Sequence, residues 1–564
     1  MSFGTEWWQL RGWPVNFFLH IDPLVAIGTM LSTHSLYRNL IWALGVVILT
    51  ILIGRFFCSW VCPFGTMHHI VGYLGNRGKK ASEKITLNRY RKGQRIKYYI
   101  LLLFLIMAAL PIVSSVSLQT GLLDPISFAY RSVNLVFLAI GDRIFHILSV
   151  TPRFYTGAWI LGLLFLLALG MNLIIPRFYC RFICPLGALF GILGRFAIWR
   201  IGKREATCRG CKACEKACEG GCEPAGEIRL SECVLCYNCL ESCKFDSITY
   251  QIPKSAAGEI TNPDLSRRGF LLTIAGGFIA IPMLRLSGLL ANAWHHNLIR
   301  PPGSVAEEEF LKRCVKCGQC MRICPTNIIV PAGLVTGPEA VWTPVLDFRI
   351  GTSGCQLNCT ACGFICPTAA IRPISLSEKL GINAFADAGP IKVGTAFVER
   401  SRCLPWQMDT PCIVCQENCP VTPKAIFVEE FYRTIRDGNY RIANIAGNEV
   451  HLEGLVLKPE KYASGDYYCA LKNDTTGDIQ RYRIIANTER TITVDETDSA
   501  FMAAQKGDSV QIQIHLQAPL IDIEKCIGCG TCEHECPVSG LRAIHVSAEN
   551  ETRSARRSLT IPRR

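Results

Sequence analysis

The stretch CVKCGQCMRICP, Cys314 to Pro325, constrains this chain more than any other. Cys314, Cys317, Cys320 and Cys324 follow the C-x2-C-x2-C-x3-C-P spacing of a [4Fe-4S] half-site. Three close thiolates hold three irons of one cube, and the fourth, before the proline, reaches a neighbouring cube. Tetrahedral iron takes soft thiolate ligands, which a tight turn supplies at this pitch. Four-cysteine zinc sites more often set two C-x2-C pairs well apart.

The run recurs. Cys208, Cys211, Cys214 and Cys218 form one copy, and Cys233, Cys236, Cys239 and Cys243 another. A crossed pattern pairs Cys208, Cys211 and Cys214 with Cys243, and Cys233, Cys236 and Cys239 with Cys218. Glu219 and Lys244 stand where proline is expected, and Cys222 rivals Cys218 as the ligand. Beyond the opening motif lie Cys355, Cys359, Cys362 and Cys366, with one extra residue in the first gap. Cys403, Cys412, Cys415 and Cys419 follow, then Cys526, Cys529, Cys532 and Cys536. Thirty cysteines in a 564-residue chain with this spacing read as metal ligands, not as a disulfide framework. The six runs predict six [4Fe-4S] clusters. No C-x2-C-H is present, which argues against covalent haem.

Net charge is +14 and mean hydropathy +0.25. The hydropathy argues against nucleic acid and for a membrane part. Residues 15–36, 39–54, 98–120 and 154–176 can each supply the roughly 20 apolar residues that a spanning helix needs, with ends that tilt or snorkel. The segment 133–150 carries Asp142 and Arg143, and reads as interfacial or packed on the bundle. The basic loop 76–97 predicts a cytoplasmic face.

Two short motifs sit at matching places after the apolar segments. One runs Cys58-Ser-Trp-Val-Cys62-Pro63, the other Cys180-Arg-Phe-Ile-Cys184-Pro185. They read as an internal repeat whose four thiols share a seventh cluster or another metal. Redox-active thiols, or cysteines used as small buried hydrophobes, are the alternatives. His68 and His69 follow the first motif and are candidates for contact with a quinone headgroup, or else satisfied interfacial histidines. His20, Asp22 and His34 are weaker candidates. No paired carboxylates and no nucleophile with its base stand out, so no catalytic residue is assigned and a hydrolase is not indicated.

Ser266-Arg267-Arg268-Gly269-Phe270-Leu271 precedes an apolar run. Twin arginine in that position is an export signal for folded, cofactor-loaded domains. Residues 270–292 then read as a fifth span, although Ala291-Asn292-Ala293 resembles a cleavage site. Between the last two cysteine runs, 431–520 contains alternating segments such as TITVDE and DSVQIQIHL, which predict a small β-rich insertion. Its Cys469 is not expected to be a ligand.

The predicted fold is therefore a multi-domain membrane protein. A helical transmembrane bundle (1–205) is followed by a cytoplasmic two-cluster ferredoxin domain (206–260) and a twin-arginine anchor (261–295). An exported four-cluster domain (296–564) of α+β polyferredoxin type carries the β-rich insertion. Residues 1–250 resemble the NapH type of membrane ferredoxin, through the four apolar segments, the paired C-x3-C-P motifs and the tandem runs. Residues 266–564 resemble its exported NapG-type partner, through SRRGFL, HHNLIRPPGSVAEEEFLKRCVKCGQCMRICP and the later runs. The resemblance implies a fusion of the two. It implies an inner-membrane protein drawing electrons from menaquinol, with a multihaem cytochrome or terminal reductase as partner and no nucleic acid. It also implies ligation pairing run 314–324 with 526–536, and run 355–366 with 403–419. Reverse transfer to quinone, or a redox maturation factor for a metalloenzyme, are the alternatives.

Overall fold

The structure is a computed structural model. It describes residues 15–35, 37–109, 120–145, 155, 158–204, 208–279, 298–333, 336, 339–454, 457–472, 478–554 and 557–559. The chain forms two compact units. The first is Met1–Asp347 with Asn358–Val393 and Arg553–Ala555; the second is Phe348–Leu357 with Gly394–Thr552 and Arg556–Arg564.

Among the described residues no helix is long and apolar enough to cross a membrane. The helical run Pro125–Phe145 is continuous through the π-turn Val133–Phe137 but carries Arg131, Asp142 and Arg143. The longest purely α segments, Pro63–Asn76 and Ile96–Ala109, have 14 described residues each. That is about 21 Å of helix against a hydrocarbon core of about 30 Å. Local breaks cut the apolar stretches. Asp22 and Pro23 divide 15–36 into Phe17–His20 and Pro23–Thr33, and His34 ends the second helix at φ 52°. Trp42–Ile53 stops at Gly54, whose φ of 86° suits glycine alone. Ala158–Gly170 tightens into the 3-10 turn Met171–Leu173. In 98–120 the helix is described as far as Ala109, and 110–119 lie outside the described residues. Large apolar side chains do stay exposed on these helices, Trp42 (73 %) and Trp159 (68 %) foremost.

These breaks overturn the transmembrane bundle, the multi-pass inner-membrane placement and the partnership with membrane lipid. Residues 267–279 are helical, and the rest of the expected fifth span, with Ala291-Asn292-Ala293, lies outside the described residues. Asp142 is not interfacial: it is buried and takes a 2.7 Å ion pair from Arg322 Nη1, beside the Cys320 turn. The basic loop also has a tertiary explanation. Helix Ala81–Asn88 packs on Ala213–Ala217, and Asn88 Nδ2 donates to the Lys216 carbonyl at 2.7 Å.

One apolar core runs through the first unit. It includes Leu19, Leu24, Phe57, Phe64, Phe165 and Phe190, and continues through Val234 on one side and Val315 on the other. The 208–243 module is framed by antiparallel strands Arg200–Lys203 and Ile248–Gln251. A buried carboxylate fastens it to the helices. Glu232 accepts from Lys97 Nζ (2.5 Å), Gln94 Nε2 (2.9 Å) and Tyr98 OH (2.9 Å). Arg55 Nη1 donates to the adjacent Ser231 carbonyl at 2.5 Å.

Near the opening motif, Arg300 and Arg553 converge on Glu307, at 2.5 and 2.6 Å. Burial pushes the Glu307 carboxyl up, but the two guanidinium groups outweigh it and hold it at about 2.

In the second unit the insertion is a closed six-stranded antiparallel barrel. Its long strands, Ile426–Ala446 and Ser509–Ile521, pair from Ile426↔Ile521 to Arg441↔Ser509. Strands Glu449–Leu452, Tyr467–Lys472, Ile479–Asn487 and Thr491–Val494 complete it. Ile442, Val450, Ile484, Ile492 and Ile512 fill the interior, and Cys469 is among them as a buried apolar residue. Closure leaves no free sheet edge.

Two outcomes follow. Replacing Glu232 by Ala leaves the Lys97 ammonium buried without its partner, so chemical denaturation should show the first unit destabilised by about 3–5 kcal/mol. The Glu307 carboxyl is depressed in the folded protein. Its contribution to stability is therefore complete above the ordinary carboxylate range and is lost as pH falls toward about 2. Glu307→Gln should flatten that acid limb in a pH series of thermal melts.

Candidate metal centres

Each cysteine run is a short loop leading into a helical turn, and the last cysteines Cys218, Cys243, Cys366, Cys419 and Cys536 are delivered to a neighbouring run. Cys314, Cys317 and Cys320 line one cavity with Cys366 and Pro367. In the second unit Cys403, Cys412 and Cys415 line another with Cys536 and Pro537. Cys529 and Cys532 in turn lie within electrostatic reach of Cys419. Runs adjacent in sequence are thus the ones that interlock. The expected pairing of run 314–324 with 526–536, and of 355–366 with 403–419, is corrected. The boundary between the units falls inside run two, with Cys355 in the second and Cys359, Cys362 and Cys366 in the first.

In the 208–243 module, Cys214 lies near Cys243, while Cys236 and Cys239 lie near Cys218. Cys222 joins the second group. Its sulfur is 3.3 Å from that of Cys218, both are buried, and it also bears on Cys233. A hydrogen bond from Cys222 holds the Cys218 thiol below its ordinary value against the effect of burial.

Cys58, Cys62, Cys180 and Cys184 come together in the core of the first unit, and all four are buried. Cys62 and Cys184 are the N-caps of helices Pro63–Asn76 and Pro185–Gly194. Their sulfurs accept from the backbone N–H of Gly65 (3.4 Å) and Gly187 (3.1 Å). Burial pushes Cys62 up, and the nearby Cys180 and Cys58 push it further. Burial likewise raises Cys180, to about 11 with Arg177 opposing, and raises Cys184 well above the ordinary thiol range. Arg55 Nη2 approaches Cys58 Sγ at 3.8 Å. Fully buried Arg177 feels Cys236 and Cys180 together, and pairs with Glu219 at 2.7 Å. On the other side, buried Arg131 feels Tyr179, Cys317, Asp124 and Cys314. Arg177 is thus shared between the four-thiol site and Cys236, and Arg131 sits beside Cys314 and Cys317.

This environment fits an iron–sulfur group. Four sulfurs, two backbone donors and two guanidinium groups suit a negatively charged thiolate cage, whereas free buried thiols stay protonated. No three His, Cys, Asp or Glu side chains among the described residues converge closely enough for a single metal ion. A cube spreads its thiolates wider than one ion does.

The histidines take structural positions. His68 is buried against Phe64 and Tyr179, bonds Asn172 through Nδ1, and is pushed down to about 4 by burial. His69 Nδ1 pairs with Glu219 at 2.9 Å. Each ring engages its Nδ1 within the fold, while His68 Nε2 is buried without a hydrogen-bond partner. Two features escaped the sequence reading. Arg55 and Arg177 stand three residues before Cys58 and Cys180, in RFFC and RFYC. Asp22-Pro23-Leu and Asp124-Pro125-Ile are a second repeat, and the structure brings these carboxylates together although no carboxylate pair was expected.

The family model described as "4Fe-4S binding domain" matches residues 36–82 and 156–204, one copy over each C-x3-C-P motif. A "4Fe-4S dicluster domain" matches 229–328, and a further "4Fe-4S binding domain" matches 517–538. The chain thus carries [4Fe-4S]-type binding domains. Ferredoxin-type protein NapG of Escherichia coli is 33% identical over 183 residues, covering 32% of this chain and 73% of NapG. The chain belongs to the NapG family of ferredoxin-type proteins. Protein NirI of Paracoccus denitrificans is 29% identical over 40% of this chain and 32% of its own length. Regulatory protein NosR of Stutzerimonas stutzeri is 27% identical over 39% of this chain and 25% of its own length. The chain spans about a third of NirI and a quarter of NosR. No solved structure matches. The expected fusion with a NapH-type membrane component is corrected, because no described helix is long and apolar enough to span. Quinol oxidation loses its support with it.

A Cβ at Gly65 would stand 2.2 Å from the Cys58 carbonyl oxygen, whereas at Gly72, on the same helix, it would meet nothing within 4 Å. Gly65→Ala should therefore deplete the iron bound by the four-thiol site, read by iron and sulfide analysis, while Gly72→Ala should leave it intact.

Proposed function

We propose that this protein is an iron–sulfur electron carrier that supplies single electrons to a redox partner, in the reduction or reductive maturation of a metalloenzyme. The placement of the four-thiol site carries this reading. Cys58, Cys62 and Cys184 belong to one apolar core with Val234 and Cys236 on one flank and Val315 and Cys317 on the other. That placement supports a chain of redox sites through the first unit. The six cysteine runs would hold six [4Fe-4S] cubes, and Cys58, Cys62, Cys180 and Cys184 a seventh. A cube, when bound, stores one electron at a potential tuned by burial and hydrogen bonds.

The protein's own groups have separable parts in this. Arg177 offsets negative charge between Cys236 and Cys180, and Arg131 does so beside Cys314 and Cys317. Gly65 and Gly187 N–H groups stabilise thiolate at two of the four sulfurs. Burial of the four thiols argues that a maturation role would act through electrons and not through thiol exchange with a partner. The NapG relationship, and the name "Regulatory protein" carried by NosR, support service to another redox system.

Anaerobic purification with iron and acid-labile sulfide analysis tests the reading, followed by EPR after stepwise one-electron reduction. Iron and sulfide in about equal amounts, sufficient for at least six cubes, are expected. Cys180→Ser should remove one reducible signal and slow the passage of electrons to a reducible haem protein. Zinc in place of iron, or an unchanged transfer rate in Cys180→Ser, would sink the relay.

A further inference from the structure

Two carboxylates outside the thiol sites lie beside the electron path. Asp22 and Asp124 are both 0 % exposed. Each caps a helix that begins with proline. Asp22 Oδ1 accepts from Leu24 N (2.8 Å) and Val25 N (3.3 Å), and Asp124 Oδ2 from Ser127 N (2.7 Å). That leaves Asp22 Oδ2 and Asp124 Oδ1 buried without a partner, and the Ser127 hydroxyl likewise. The two side chains bear on each other, and Ser127 bears on Asp124. Two ionised carboxylates are acceptors only and repel in a dry site, whereas one proton turns one of them into a donor for the other.

The surroundings place this pair between two thiol groups. Arg131 faces Asp124 from its own helix, Pro125–Ser132, and also feels Cys317 and Cys314. Tyr179 faces it from Phe178–Phe182 and also feels Cys184 and Cys180. Cys62 faces it from the start of Pro63–Asn76. Burial raises both carboxyls, and the Asp124 charge raises Asp22 further. The two titrate as a pair.

We propose that Asp22 and Asp124 are a proton-holding pair that takes up a proton when the four-thiol site accepts an electron. This rests on the reading of Cys58, Cys62, Cys180 and Cys184 as a redox centre. In the oxidised protein the pair is one carboxyl and one carboxylate sharing a proton. One electron arrives from a one-electron iron–sulfur donor, and one proton arrives from water onto the remaining carboxylate, giving two carboxyls. When the electron moves on, that O–H bond breaks and the proton returns to water. Only O–H bonds change, and each negative charge added to the buried site is matched by one proton.

The test uses the anaerobically purified full chain and its Asp22→Asn and Asp124→Asn variants, since Asn keeps the helix cap. Redox titration across a pH series should show the four-thiol potential falling about 59 mV per pH unit, one proton per electron. In the variant carrying both Asn changes it should be flat, because no carboxylate remains to take the proton. Infrared spectra should show a protonated-carboxyl band in the resting protein that grows on reduction; the resting band should be missing from each single Asn variant, and the reduction-induced band from the double variant. Ser127→Ala, a milder change, should shift the band without loss of iron. A pH-independent wild-type potential overturns the coupling, and a resting band that survives both Asn variants overturns the shared proton. The absence of any redox signal from the four thiols, with the resting band intact, instead overturns the reading of that site and leaves the shared proton standing.

Discussion

The carboxylate of Glu232 holds the first unit in register. It is buried one residue before Cys233, and it is tolerable there only because Lys97, Gln94 and Tyr98 all donate to it. Those three residues lie at the start of helix Ile96–Ala109 and in the turn before it. The same contact fixes the second ferredoxin-like run against the helix that flanks the four thiols. Arg55 strengthens it by reaching both the Ser231 carbonyl and Cys58. A network that must be fully satisfied to exist ties the position of one thiol group to the position of the next.

Buried arginine is the recurring device. Arg55, Arg131, Arg177 and Arg181 are all fully buried in the first unit, an uncommon burden of charge for one core. Each is balanced by carbonyls, carboxylates or cysteine sulfurs. Around metal thiolates such charges have an electrostatic purpose, because negative charge in a low-dielectric interior needs a fixed positive counterpart. Asp22 and Asp124 are the exception, two acidic groups that bear on each other and are held by backbone N–H donors instead of a cation.

The cysteine spacing was readable, because a turn of fixed pitch must place three thiolates together whatever surrounds it. Which run completes which site was not. Cys366 meets Cys314 through a contact that spacing alone does not encode, and the pairing drawn from resemblance failed there. The apolar segments misled for a related reason. Their composition satisfied the requirement for a span, but length is cut by Asp22-Pro23, by Gly54 and by the 3-10 turn after Gly170. Such breaks are visible as letters, though their effect depends on what packs around them. The repeated RF-x-C and Asp-Pro motifs were legible as well, and only the burial of their charges shows why they recur.

By itself the sequence determined the ligand chemistry, since thiolate, proline and glycine at set intervals dictate local geometry through short-range sterics. It also determined that 431–520 is strand-rich, through its period-two alternation. Tertiary structure alone decided that this segment closes into a barrel around Cys469, and that Cys58, Cys62 and Cys184 share one apolar core with Cys236 and Cys317. It alone decided that two aspartates about a hundred residues apart share a dry site. Those outcomes depend on burying charge and apolar surface together, a property of the folded whole that no local window of residues contains.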